Sequence, residues 1–243
     1  MTDLTACIED AGFAVVAHRL DDAQVTELVE TMSNAVRMDD VRVPRSRRRG
    51  TVYAMRNLLA IEAVRRLAGS QAVLGLVRPI LGDGAFPVRA IYFDKTRDAN
   101  WKVPWHQDLA IAVRERRDIP GFGPWSVKAG VVHVQPPAPV LQQMLTVRVH
   151  LDPTDEANGP LRVLPGSHRL GVVPTVEIGR LHASMAEVTC LVPRGAALLM
   201  RPLLVHASSE ARDDAHRRVI HVEYAAGDLP GGLEWWEHSP VHA

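Results

Sequence analysis

Three side chains of metal-binding type stand where a closed sheet could bring them together. His106 and Asp108 are two apart in the strand-like run VPWHQDLAIAV, and a β-strand sends residues i and i+2 to the same side. One imidazole and one carboxylate therefore point together. A third ligand has to come from elsewhere, and His206, which follows the apolar run AALLMRPLLV, is the candidate. Two histidines and one carboxylate on one face of an octahedral iron leave three adjacent positions open, enough for a bidentate 2-oxo acid and O2. The same ligands with a water could hold zinc in a tetrahedral site, so ligand identity alone leaves both metals open.

Eleven positions after His206 (217 − 206), Arg217 opens the strand RRVIHVEYA. The remote carboxylate of a dicarboxylate cosubstrate needs a permanently charged partner, and a planar guanidinium can hold it with two parallel hydrogen bonds. Ser208, two past His206 and able to face the same way, could add a hydroxyl. Arg218 would face the other side of the strand, and spacing alone does not choose between the two arginines. In Leu145 to Leu151 the apolar Leu145, Val147, Val149 and Leu151 share one face, and Thr146, Arg148 and His150 share the other. That polar face could line a pocket, although the same alternation arises at a solvated surface.

Trp101, Trp105 and Trp125, with His133 and Gln135, are the substrate-pocket candidates, and each would serve as readily as a core residue. Lys95 and Lys102, near strand ends, read as solvated. Among the remaining histidines, His18, His182, His216, His238 and His242 read as surface residues, and His150, His168 and His221 as satisfied structural ones.

The elements that must position these groups differ along the chain. Phe13 to Ala17 reads as a short strand, after which Asp21 or Asp22 can cap a helix with Val25, Leu28, Val29, Met32 and Val36 on one face. Arg42, Arg45, Arg47, Arg48 and Arg49 then read as an exposed loop around Pro44, with a lid meeting an anionic substrate as the sharper alternative. Two helices are expected at roughly 61–68 and 70–81, the second stopped by Gly82. From Phe86 onward, short β-branched runs broken by Gly and Pro point to a sandwich or barrel. The expectation is a single domain over 1–243, mainly β with flanking helices, comprising a helical flanking region (1–85) and a β core (86–243).

Composition narrows the partners. Lys plus Arg (28) balance Asp plus Glu (28), so no global field draws the chain to nucleic acid or an anionic membrane. The low aromatic content (5%) and the absence of aromatics among the basic residues weigh further against a nucleic-acid binder. No stretch approaches the ~18 apolar residues of a membrane span, and the first residues lack a secretory pattern. Two cysteines, Cys7 and Cys190, suit a reducing cytoplasm. The expected partners are a small-molecule substrate and O2, for a monomer or weak homo-oligomer.

WHQDLAI, NGPLRVLPGSHRLG (158–171) and PLLVHASSEARDDAHRRVIHVEYA, in that order, resemble the phytanoyl-CoA dioxygenase family of iron(II)- and 2-oxoglutarate-dependent oxygenases over roughly Phe86 to the C-terminus. The resemblance implies a double-stranded β-helix, a cupin-like jelly roll. It implies Fe(II) on His106, Asp108 and His206, and the 2-oxoglutarate carboxylate on Arg217 with Ser208 in support. It also implies that the strand from Leu145 lies beside the cosubstrate, which makes Thr146 and Arg148 candidates for it. An extra stretch, GFGPWSVKAGVVHVQPPAPVLQQ, separates HQD from NGPL, so the namesake's acyl-CoA substrate is not carried over to this chain and a CoA-linked or free substrate stays open. Because Asp108 keeps the carboxylate, the expected chemistry is hydroxylation, or a related oxidation, and not halogenation. The rival reading is a cupin-like metal-binding hydrolase or isomerase, or a non-catalytic ligand-binding module; such proteins have no use for a dicarboxylate clamp, so Arg217 discriminates.

Overall fold

The computed structural model describes residues 3–38, 40–212 and 214–237; His238 and His242 lie outside them. The chain begins with helix α1 (Leu4–Asp10), strand β1 (Phe13–Val16) and helix α2 (Asp22–Arg37). Asp21 starts α2: its carboxylate accepts from Gln24 N at 2.8 Å while Gln24 Oε1 accepts from Asp21 N at 3.0 Å, a reciprocal cap. The face predicted from spacing is the one buried, with Val25, Leu28 and Met32 inside and Val29 and Val36 packed against them.

The arginine-rich stretch is only partly a loop, with Arg42 and Arg49 in turns. Arg45–Arg48 form β2, paired with β3 (Thr51–Met55), because Arg49 and Gly50 both adopt positive φ (49° and 84°) and make a tight hairpin turn. The alternation that signals a strand was hidden because every other position of the run also carries a polar group. Arg42 pairs with Asp40 at 2.8 Å, and Arg45 Nη2 donates to Ala35 O at 3.0 Å. Helices α3 (Glu62–Gly69) and α4 (Gln71–Leu81) follow, the latter ended by Gly82 at φ 90°.

The β-rich part then runs through β4 (Phe86–Lys95), β5 (Val103–His106), β6 (Ile111–Val113), β7 (Trp125–Lys128), β8 (Val131–Val134), helix α5 (Ala138–Gln142), β9 (Met144–His150) and β10 (Leu161–Val163). After these come helix α6 (Thr175–Ser184), β11 (Val188–Cys190), β12 (Ala197–Met200), β13 (His206–Ser208) and β14 (Arg217–Ala225). They build an antiparallel jelly roll of a large sheet, β1-β12-β9-β14-β4-β3-β2, and a smaller one, β11-β10-β13-β5; a third sheet, β6-β8-β7, is made by the stretch between HQD and NGPL. The segment 1–85 is therefore more than a helical flank: β1 pairs with β12 and β3 with β4, so N-terminal strands extend the large sheet on both sides.

The large sheet owes its orientation to β9 and β14. Leu145, Val147 and Val149 of β9, with Ile220, Val222 and Tyr224 of β14, join Val25, Met32, Val64, Leu67, Leu74 and Val77 of the helices in one core. Burying a side chain of this size contributes about 1.5–3 kcal/mol. With that face committed to the helices, Thr146, Arg148, His150, Arg217, His221 and Glu223 turn to the inside of the jelly roll, where all six are buried.

Candidate active site

His106 ends β5 and His206 begins β13, and the antiparallel pairing sets them directly opposite each other, ring centroids 4.2 Å apart. Asp108 lies just past β5, where its backbone N donates to Pro202 O at 2.9 Å. The ligand atoms of the three residues all lie within 4.8 Å of one another. Each histidine donates Nδ1–H to the carbonyl two residues before it, His106 to Pro104 O at 2.9 Å and His206 to Leu204 O at 2.8 Å. These bonds select the tautomer, so both Nε2 lone pairs face the Asp108 carboxylate, 3.6 Å away on either side.

Electrostatics sharpen the arrangement. Burial raises the Asp108 pKa, but the neighbouring His206 and His106 outweigh it and hold the carboxyl far below its ordinary range. The deeply buried His206 is pushed down to about 4, chiefly by desolvation, so it stays neutral and available as a ligand. Burial works the same way on His106, but the adjacent Asp108 carboxylate outweighs it and its pKa rises.

Gln107, the middle residue of HQD, points away from the triad and locks it. Its Nε2 donates to Gly171 O at 2.8 Å and Leu203 O at 2.6 Å, and its Oε1 accepts from Val173 N at 2.8 Å. Sequence reasoning missed this role, although a polar residue alternating with two ligands on a strand is the available signal.

A cavity of about 110 Å³ opens onto the triad, lined also by Phe93, Trp101, Arg148, Ser208, Arg217 and His221. Arg217 is 2% exposed, yet its Nε and Nη1 have no partner, and Nε of the buried Arg148 has none either. Desolvation and the charge of Arg148 bring Arg217 down to about 9, while desolvation lowers Arg148 to about 10. Buried cations without counterions are costly, so this donor set fits an anionic guest and the triad beside it fits a divalent metal. Arg218, by contrast, is spent: its Nε and Nη2 bind the Asp152 carboxylate at 2.7 and 2.6 Å. Packing separates the two arginines, since only Arg217 turns inward and lines the cavity.

Arg148 reaches further. Its Nη1 donates to His221 Nδ1 at 2.9 Å, which leaves His221 Nε2–H to face Glu223 Oε1 at 3.3 Å; Arg89 is 3.4 Å from the same oxygen and donates to Ala110 O at 3.1 Å. His221 therefore belongs to the cavity wall as well as to a structural network, and it was absent from the candidates.

The other candidates separate. Trp101 lines the cavity. Trp105, on the opposite side of β5 from His106, stacks on His182 at 4.7 Å and packs on Leu164, Val173, Ile178 and Val205. Trp125 and His133 belong to the third sheet, and the Gln135 backbone braces the turn before it, bonding Gly123 N and Pro124 O; none of the three lines the cavity. Thr146 is buried without a partner for its hydroxyl and also lies outside the cavity wall. Lys95, expected in solvent, is fully buried, because β4 runs its C-terminal end into the jelly roll between Trp101 and Ser208. A larger cavity of about 550 Å³, lined by Arg42, Arg65, Arg114 and Glu237 among others, contains none of the triad.

A family model described as phytanoyl-CoA dioxygenase (PhyH) matches residues 8–219. L-proline trans-4-hydroxylase of Streptomyces griseoviridis is 23% identical over 240 residues, covering 88% of this chain and 82% of its own. Among solved structures, EctD from S. alaskensis with bound Fe superposes with a TM-score of 0.73 at 19% identity, over 93% of this chain and 76% of that one. The epimerase SnoN in complex with Fe3+, alpha ketoglutarate and nogalamycin RO gives a TM-score of 0.68 at 19% identity, over 99% of this chain and 94% of that one. At these identities the structural likeness is one of fold.

Proposed function

Since the chain belongs to the phytanoyl-CoA dioxygenase family, whose members use iron(II) and 2-oxoglutarate, we propose that it oxidises a small organic molecule, with His106, Asp108 and His206 as iron ligands and Arg217 as the anchor of 2-oxoglutarate. When bound, the metal and cosubstrate supply oxidative decarboxylation driven by O2, and with it the power to oxidise a C–H bond. The chain's own residues do the positioning. The carbonyls of Pro104 and Leu204 fix the tautomer and the aim of both imidazoles, Gln107 braces the strand end that carries Asp108, and Arg217 offers unpartnered N–H groups to a carboxylate. Phe93, Trp101 and Leu161 give the cavity apolar walls that exclude water from the reacting carbon.

The observation that carries this reading is a buried, unpaired guanidinium in the cavity that also holds the triad. A hydrolase would use such a group only for a carboxylate on its substrate. The reading includes a small-molecule substrate, with hydroxylation as the outcome and the protein acting as a monomer or weak homo-oligomer in the cytoplasm without a nucleic-acid partner. Balanced charge supports the last of these, and among the described residues no helix is long and apolar enough to cross a membrane. The test is anaerobic reconstitution with iron(II) and 2-oxoglutarate, then O2 and measurement of succinate. No succinate above the metal-free control would refute it. A product heavier by one oxygen atom identifies hydroxylation, whereas a product lighter by two hydrogen atoms would replace hydroxylation by desaturation or ring closure.

A further inference from the structure

The β4–β14 register sets Lys95 directly opposite Arg217. Two buried cations so placed repel each other unless an anion joins them. Lys95 Nζ donates to Ser208 Oγ at 2.8 Å and to Ser209 O at 2.5 Å, and it lies 4.9 Å from the centre of the Trp101 ring. All three partners are neutral, and no carboxylate pairs with this ammonium among the described residues. The cradle is built for it. Gly159, at φ +75°, leaves the space: a Cβ there would stand 2.6 Å from Ser209 O and 2.9 Å from Lys95 Cδ.

We propose that Lys95 is a positioning residue that, through Ser208, makes the pocket select a dicarboxylate 2-oxo acid over a monocarboxylate one. The inference rests on the reading above that Arg217 receives the remote carboxylate. Ser208 Oγ now donates to Gly159 O at 3.1 Å while accepting from Lys95. An anion on Arg217 offers that hydroxyl a stronger acceptor. Lys95 then holds the oxygen in place while the proton turns toward the carboxylate, and its charge adds to the attraction. Burial and the charges of Arg217 and Arg148, opposed by Glu210, bring the lysine down to about 7 when no anion is bound, so its charge is labile there.

The test measures calorimetric binding of 2-oxoglutarate and of 2-oxopentanoate, the same carbon chain without the remote carboxylate, to the iron(II)-loaded protein without O2. Lys95→Met should lower the preference for 2-oxoglutarate about tenfold, with 2-oxopentanoate binding nearly unchanged, as expected when one charge-assisted contact is lost. Lys95→Arg, which keeps the charge, should recover much of that preference. Equal weakening of both acids in Lys95→Met would reduce the lysine to a structural role and overturn the proposal. If that variant does not fold, the wild-type preference should fall as pH rises from about 6 to about 9, and a constant preference is the overturning result. Arg217→Met separates the two readings. If it leaves the preference intact, the cosubstrate assignment itself fails; if it collapses the preference while Lys95→Met does not, only the role of Lys95 fails.

Discussion

His106 and His206 face each other across the β5–β13 pair, and the Asp108 carboxylate sits 3.6 Å from Nε2 of each. The spacing leaves no room for a competing side chain between the three donors. His206→Ala should therefore retain less than about a tenth of the wild-type iron after reconstitution and desalting, while removing only one buried ring from the fold. Iron stoichiometry checks this, and a variant that keeps a full equivalent would contradict the assignment.

Arg217 and its neighbour should separate cleanly under substitution. Arg217→Met is expected to raise the KM for 2-oxoglutarate at least about tenfold, with the denaturation midpoint unchanged or higher, because an unpaired buried charge is removed. Arg218→Met should do the opposite, leaving KM alone and costing about 1–3 kcal/mol as the Asp152 carboxylate is stranded. Urea melts and initial rates on both variants decide it.

Gln107 makes three hydrogen bonds, two of them buried, to main-chain groups of two loops. Gln107→Leu keeps the volume and strands one N–H and two carbonyls, so a loss of about 2–4 kcal/mol is expected. Gln107→Glu should be no better, since its carboxylate would meet the carbonyls of Gly171 and Leu203. Thermal denaturation at wild-type temperature for either variant would show that these bonds contribute nothing.

The buried lysine also predicts how the unliganded protein responds to pH. Its pKa of about 7 in the fold lies below the value of 10.5 for an ordinary lysine. Below pH 7 both the folded and unfolded chains carry the proton, and the cost of burying the charge is felt in full. Between about 7 and 10.5 the unfolded chain binds more protons, so this group makes stability rise with pH. Relative to Lys95→Met, the wild type should gain stability from pH 7 to pH 9 in denaturant melts. A parallel pH dependence of the two proteins would contradict the burial described.

Much of this site was legible because its chemistry is local. HxD on a strand, the distal His206 and an arginine after it are spacing signals, and the structure brings those residues into one cavity. The helical face of α2 and the stop at Gly82 were legible for the same reason, since a periodicity and a cap sit in the run that uses them. What escaped depends on partners far away in sequence. Lys95 looked solvated because a lysine at a strand end usually is, and only the depth of β4 and the space left by Gly159 bury it. The Arg45–Arg48 strand was masked by its charges, and Trp105 looked like pocket because its side of β5 is set by the fold and not by its own residue type.

The two imidazoles do not share a mechanical footing. β13 is held by strands on both sides, whereas β5 is the outermost strand of its sheet and His106 keeps about a third of its side-chain surface open. Fraying of that border would release His106 first, with His206 still seated. The ion is therefore expected to enter and leave on the His106 flank, and backbone amides near Val103 to His106 should exchange with deuterium sooner than those of His206 to Ser208.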